Sequence, residues 1–176
     1  KRKDPEADCR FFLQAGYPVD AVKEYLLNLL NSDFEDWRKE NPTKSYLDFP
    51  FSIKKMSTSG CLFDFNKLND VSKNVICHWD AEKVYSFLLE WAKEYDVDFA
   101  EELEADKDKA VAVLSIGRGG KKPRKDFAVW SELKAHMAFF YDAYFEKLFS
   151  DVTSLYRLNE FNTETGAKAD LGPLPT

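Results

Sequence analysis

The sequence predicts an all-α protein, on three observations. Apolar residues recur at helical spacing along most of the chain, as Val84, Leu88 and Trp91 do after Asp80. Capping residues, glycine and proline mark helix starts and ends, and Gly16 is a good terminator. Strand signals are few, and the hairpin dipeptide Asn-Gly is absent.

The first half of the sequence predicts four helices. The first begins near Asp4 and ends at Gly16, and Pro18 opens the second. The predicted apolar face of that second helix is Val19, Val22, Leu26 and Leu29. A third helix covers residues 34–40, and an irregular stretch with at most a short strand covers 45–62. Asp64 then opens a fourth helix.

The second half predicts three further helices and a tail. Asp80 caps one of them, and Asp106 caps another that runs through Leu114. A long helix is predicted from the apolar positions Leu133, Met137, Phe140, Tyr144 and Leu148. Residues 153–176 are polar and interrupted by glycine and proline, which indicates a tail or linker.

Composition and charge limit the possible functions. The chain has 176 residues and 44% hydrophobic content, and it has no apolar run of the roughly 20 residues that span a bilayer, so we expect a cytoplasmic protein. The net charge of -6 disfavours a nucleic-acid binder, but residues 118–125 (RGGKKPRK) hold five cations. Cys9, Cys61 and Cys77 form no metal-binding pair, and we expect them to be small buried residues.

No catalytic constellation is recognisable in the sequence. The two histidines, His78 and His136, stand in no triad or metal-ligand spacing, and no glycine-rich phosphate loop is present. Residues 55–59 (KMSTS) resemble the KMSKS signature of class I aminoacyl-tRNA synthetases, but Thr58 stands in place of its second lysine. We interpret that match as coincidental and expect neither catalytic residues nor a metal site in this chain.

Several segments taken together resemble one family. They are KRKDPEA (1–7), GYP (16–18), NSDFEDW (31–37), FSI (51–53), FD (63–64), KLN (67–69) and PRKD (123–126). Over roughly residues 1–150 the sequence resembles the C-terminal region of bacterial, clostridial-type glutamyl-tRNA synthetases. Lys1 and Arg2 are then the remnant of the family's ATP-binding signature loop.

The resemblance implies two small helical subdomains. Residues 1–78 would be the stem-contact domain, 79–152 the helical anticodon-binding region and 153–176 a tail or linker. The parent enzyme would attach glutamate to tRNA(Glu) with ATP and Mg²⁺, whereas this fragment would hold the tRNA without catalysis or a cofactor of its own. We expect a monomer with tRNA(Glu) as partner, and neither DNA nor a membrane.

The resemblance also implies which cations touch tRNA. The candidates near the anticodon are Arg118, Lys121, Lys122, Arg124 and Lys125, of which Arg124 matches the family's arginine beside the anticodon. The candidates for phosphates of the tRNA stem are Lys54, Lys55, Lys67 and Lys73.

Two alternatives compete with this interpretation. A helical protein–protein interaction module would have no tRNA affinity and would expose an apolar groove. A relative of the glutaminyl enzyme would carry β-barrels in its anticodon region, which the helical periodicity after Asp80 disfavours.

Overall fold

The computed structural model describes residues 8–56, 62–142, 144–146 and 150, and these residues form helices and loops without a strand. The predicted all-α class is confirmed. The helices are α1 (Cys9–Ala15), α2 (Val19–Leu30), α3 (Asp33–Glu40), α4 (Phe65–Cys77), α5 (Ala81–Tyr95), α6 (Val97–Ala105), α7 (Lys107–Ser115) and α8 (Leu133–Met137). Short 3₁₀ turns cover Tyr46–Asp48, Ile53–Lys55, Trp130–Glu132 and Ala138–Phe140.

Side-chain caps set the helix starts where the sequence predicts them. The carboxylates of Asp64, Asp80 and Asp106 each accept hydrogen bonds from backbone N–H groups in the first turns of α4, α5 and α7. Gly16 ends α1 with a φ of 89°, and its N–H is donated to carbonyls of the last turn. Helix α6 begins at a further cap, Asp96, which the sequence analysis did not single out.

The chain divides into two compact units, Lys1–Lys134 and Ala135–Thr176. In the first unit α2 packs on α4, while α5 packs on α6 and α7. One core cluster of this unit consists of Tyr17, Tyr25, Leu68, Val71, Ala128 and Val129. The Ser72 hydroxyl donates to the Ala128 carbonyl (2.5 Å), which ties the segment after the cation-rich loop to α4. The predicted domain limits at residues 78 and 152 stay a prediction.

Helix α2 buries only part of the predicted face, of which Val22 and Leu29 pack against the core cluster. Ala21 and Tyr25 are fully buried, whereas Val19 and Leu26 are 50% and 46% exposed. The Tyr25 ring lies in the core cluster, and its hydroxyl oxygen accepts the N–H of Asp64 (2.7 Å). The prediction is therefore wrong for Val19 and Leu26, because α2 has apolar residues on two sides.

The predicted long helix after the cation-rich loop is also wrong. Helix α8 ends at Met137, a 3₁₀ turn follows, and Tyr141 has an extended backbone (φ -119°, ψ 117°) that interrupts helical hydrogen bonding. This backbone leaves the Tyr141 side chain buried, while Phe139 is 72% exposed. Leu148 lies outside the described residues.

The cysteines differ from one another. Cys77 is buried as expected, but Cys9, the first residue of α1, is exposed, and Cys61 lies outside the described residues. Where the structure describes the chain, no helix has the combination of length and apolarity that a membrane crossing requires.

Candidate nucleic-acid interface

Arg118 is the most deeply embedded cation of the loop at residues 118–125. Its Nε donates to the Leu114 carbonyl (2.7 Å), and its Nη1 donates to the carbonyls of Ile76 (2.9 Å) and Trp79 (3.4 Å). The guanidinium also lies 5.4 Å from the centroid of the Phe127 ring. Burial lowers the pKa of Arg118 from its usual value. Its donors therefore join α7 to the end of α4.

Arg124 is exposed, but its conformation is set by its neighbours. Its backbone N–H is donated to the Gly117 carbonyl (3.1 Å), and its Nε donates to the Asp126 carboxylate (3.1 Å). Gly117 has a φ of 75°, and a Cβ there would lie 2.4 Å from the Arg124 Cδ. The glycine thus permits the close approach of the Arg124 stem, while the guanidinium reaches solvent beside one carboxylate.

The three lysines of the loop are exposed. Lys121 and Lys122 sit in the turn at its tip, and no ion pair joins them to the described residues. Lys125 lines a groove that is described below. The loop thus contains two kinds of cation: Arg118 stabilises the fold, and the lysines are available to a partner.

The predicted stem-contact cations are also of two kinds. Lys55 pairs with Asp33, and Lys67 pairs with Glu35 at 3.2 Å. That hydrogen bond from Lys67 lowers the pKa of the Glu35 carboxyl. The two remaining candidates form no ion pair with described residues: Lys54, which is exposed, and Lys73, which is half-buried. Lys1 and Arg2 lie outside the described residues.

A groove of about 670 Å³ brings together residues from α2, α3, the loop after α3, the end of α4, the start of α5 and the cation-rich loop. Its cations are Arg38, Lys39, Lys44, Lys83 and Lys125, and its carboxylates are Asp20, Glu24 and Asp80. His78, Trp79 and Tyr46 also line it. We call this the basic groove. Sequence reasoning found only Lys125 of its cations, because the others are far apart along the chain.

The Glu24 and Arg38 side chains form a bidentate pair within the basic groove. Arg38 Nη2 lies 2.6 Å from Glu24 Oε1, and Nε lies 3.0 Å from Oε2. Arg38 Nη1 also donates to the carbonyls of Asn41 and Lys44 (2.8 and 2.7 Å). Burial raises the pKa of the Glu24 carboxyl, and the nearby Arg38 opposes that rise. The pair fixes the loop after α3, and with it the position of Lys44.

An apolar groove of about 340 Å³ adjoins the basic groove, with which it shares Tyr46. It is lined by Leu26, Leu27, Leu30, Leu47, Phe49 and Phe51, together with Lys23 and Tyr46. Four of these apolar side chains are exposed by 39% to 77%. Such a surface is the feature that the protein-interaction alternative expects.

The described residues contain no group of three histidine, cysteine or acidic side chains placed to hold a metal ion. The arrangement of charged groups fits neither a metal centre nor a nucleophile with its base. It fits the recognition of a polyanion by lysine side chains.

Comparison with known proteins finds extended similarity to one kind of enzyme. The chain is 50% identical over 145 residues to a glutamate–tRNA ligase of Acetivibrio thermocellus, covering 82% of this chain and 27% of that protein. It is 47% identical over 147 residues to one of Clostridium perfringens, covering 84% and 27%. It is 43% identical over 148 residues to one of Sorangium cellulosum, covering 84% and 26%.

The chain thus spans about 27% of the length of the first of these curated relatives, within their C-terminal region. No family model matches the sequence, and no solved structure matches it.

Proposed function

This chain is related to the C-terminal region of the glutamate–tRNA ligases, and on that premise we propose that it is the part of such a ligase that holds tRNA(Glu). The identity of 43% to 50% over more than four fifths of the chain carries the proposal. The whole ligase would attach glutamate to tRNA with ATP and Mg²⁺. The adenylate chemistry would then belong to the large part of the relatives that this chain does not span.

The distribution of charge supports a tRNA-holding role. The chain has a net charge of -6, and a uniformly acidic surface would repel RNA. The lysines at the tip of the cation-rich loop are nevertheless exposed, and Lys125 joins four other cations in the basic groove. Affinity for tRNA would come from these local concentrations of positive charge.

The division into subsites follows the same proposal. Residues 1–78 would contact the tRNA stem, and residues 79–152 would approach the anticodon, with Arg124 as the first candidate there. An arginine can bind a phosphate with two donors or stack on an unpaired base. Since Arg118 donates to three backbone carbonyls, it would act by holding the loop in place.

Equilibrium binding of tRNA(Glu) and of an unrelated tRNA across a salt series tests the proposal. We expect the logarithm of the affinity to fall linearly with the logarithm of salt concentration, by about 0.7 to 0.9 per neutralised phosphate. Arg124→Ala should weaken binding. Arg10→Ala is the matched control, because Arg10 is also an exposed arginine paired with an aspartate two residues away. A folded chain that shows no salt-dependent binding of either tRNA would overturn the proposal.

The apolar groove supports a second candidate, a protein-interaction module. That function predicts binding to a protein partner with little dependence on salt, because burial of apolar surface is not screened by ions. Leu26→Ser and Leu47→Ser would weaken binding of that protein partner, and the chain would show no affinity for tRNA. The salt series therefore separates the two candidates.

A further inference from the structure

We infer that the basic groove binds the sugar–phosphate backbone of RNA, with Lys44, Lys83 and Lys125 as its principal contacts. This inference rests on the proposed tRNA-holding function and names the site that carries it. The three lysines come from the loop after α3, from the first turn of α5 and from the cation-rich loop. Two of them, Lys44 and Lys83, lie outside every segment that the sequence marks as basic.

These lysines have no carboxylate partner among the described residues, whereas several other cations of the first unit do. Lys39, Lys55 and Lys67 are held in ion pairs with acidic residues of α3. Lys93 and Lys107 pair with acidic residues on neighbouring helices. None of Lys44, Lys83 and Lys125 forms an ion pair with a described residue, although all three line one groove. Their charges are therefore available to an anion that enters it.

The carboxylates of the basic groove are mostly engaged. Glu24 is paired with Arg38 at 2.6 Å, and the Asp80 carboxylate accepts the backbone N–H of Lys83 (2.7 Å) at the start of α5. Asp20 is the remaining acid. Apart from the Glu24–Arg38 pair and from Lys39, which is paired with acidic residues of α3, three lysines and two carboxylates remain in the lining, a net charge of +1 in a chain whose overall charge is -6. This local positive charge favours the entry of a polyanion into the groove.

The aromatic residues of the groove indicate that it takes phosphates rather than bases. The Trp79 ring is stacked on Phe87 (centroids 5.1 Å apart), and Lys83 Nζ lies 4.1 Å from the Trp79 centroid. Lys23 Nζ donates to the Tyr46 hydroxyl (3.0 Å) and lies 5.6 Å from the Tyr46 centroid. Both rings thus already have partners, whereas a stacking platform for a base needs an open face.

His78 adds a polar group of fixed orientation. Its Nδ1 lies 2.7 Å from the Asn74 carbonyl oxygen. A carbonyl oxygen can only accept, so Nδ1 carries the hydrogen, and Nε2 of the neutral ring is an acceptor that suits a ribose 2′-hydroxyl. Contacts to the phosphates and sugars position an RNA without reading its sequence. The groove would therefore contribute affinity and register, and it would not distinguish one tRNA from another.

Two triple variants of the full chain test the inference. Lys44→Gln, Lys83→Gln and Lys125→Gln together remove the groove charges. Lys93→Gln, Lys107→Gln and Lys109→Gln change the net charge equally at exposed lysines that neither line the groove nor belong to the tRNA-binding candidates. Circular dichroism and urea unfolding establish that both are folded. We measure binding of tRNA(Glu) and of an unrelated tRNA across a salt series.

In the groove variant, the slope of the logarithm of affinity against the logarithm of salt concentration should be smaller in magnitude by about two to three. Its affinity at 0.1 M salt should fall by about tenfold or more. The loss should be equal for both tRNAs and larger than in the second variant. An equal loss in the two variants would mean that net charge alone is responsible, and it would overturn the inference. A loss confined to tRNA(Glu) would show base reading and overturn it as well.

Two further results separate this inference from the proposed function. If the wild-type chain binds tRNA with salt dependence and the groove variant binds as tightly, the groove inference fails and the tRNA-holding function stands. If the wild-type chain binds no tRNA, both fail. We also titrate ATP: micromolar binding that the groove variant loses would identify a mononucleotide site and overturn the assignment to an RNA backbone.

Discussion

The Glu24 carboxylate and the Arg38 guanidinium form a two-point ion pair between α2 and α3, with side chains that are only 8% and 19% exposed. Arg38→Met leaves the carboxylate buried without its partner. We expect the free energy of unfolding at pH 7 to fall by about 3 kcal/mol or more. Urea denaturation measures the change. A decrease below about 1 kcal/mol would mean that water reaches Glu24 in the folded state.

The free energy of unfolding of the Arg38→Met variant should depend on pH in a defined direction. Burial raises the pKa of the Glu24 carboxyl, and the Arg38→Met variant lacks the guanidinium that opposes this rise. The folded state then binds a proton more tightly than the unfolded chain, so stability falls as pH rises from the unfolded pKa through the folded pKa. The deficit should be smaller at about pH 5 than at about pH 7. In a Glu24→Gln background, Arg38→Met should show no such difference.

Arg118 should contribute to the stability of the fold rather than to direct contact with RNA. Arg118→Met removes the donors that satisfy the carbonyls of Leu114 and Ile76, and we expect a loss of about 1 to 3 kcal/mol. Lys122→Met, at the exposed tip of the same loop, should change stability by no more than about 0.5 kcal/mol. Urea midpoints give both values. An Arg118→Met chain of unchanged stability that has lost tRNA binding would instead place the guanidinium on the RNA.

Three glycines separate steric overlap from backbone strain. A Cβ on Gly16 (φ 89°) would lie 2.8 Å from the backbone nitrogen of Trp130, so Gly16→Ala should be the most destabilising, by about 2 to 4 kcal/mol. A Cβ on Gly119 (φ 73°) would meet nothing within 4 Å. Gly119→Ala should therefore lower the free energy of unfolding only by the backbone strain, about 1 to 2 kcal/mol. Gly120→Ala is the control, with a change within about 0.5 kcal/mol. Thermal unfolding should reproduce this order, and any other order contradicts the geometry.

The two described cysteines should differ in reactivity. Cys9 is exposed, while Cys77 is 3% exposed and burial raises the pKa of its thiol. A raised pKa lowers the thiolate fraction, and the thiolate is the form that reacts. In a Cys61→Ser chain, a thiol reagent should modify one group at least about tenfold faster than the other. Mass spectrometry should assign the fast site to Cys9, and rapid labelling of Cys77 would mean that the α4 terminus opens readily.

The local elements were largely predictable, and the packing was not. Aspartates followed by helical periodicity predicted the starts of α4, α5 and α7, because a cap acts through backbone groups within three residues of it. The buried face of α2 was predicted only in part, because its apolar residues lie on two sides. The end of α8 was also missed, because no glycine or proline marks the extended backbone of Tyr141.

In the candidate site, too, some features were predictable from the sequence and others depended on tertiary packing. The sequence by itself determined the all-α class, the helix starts and the presence of a cation-rich loop, since all of these depend on neighbours within a few residues. Only the tertiary structure decided that Arg118 stabilises the fold, and that Lys44, Lys83 and Lys125 line one groove. Electrostatic recognition depends on distance in space, and the fold brings these lysines into one groove although 39 and 42 positions separate them in sequence.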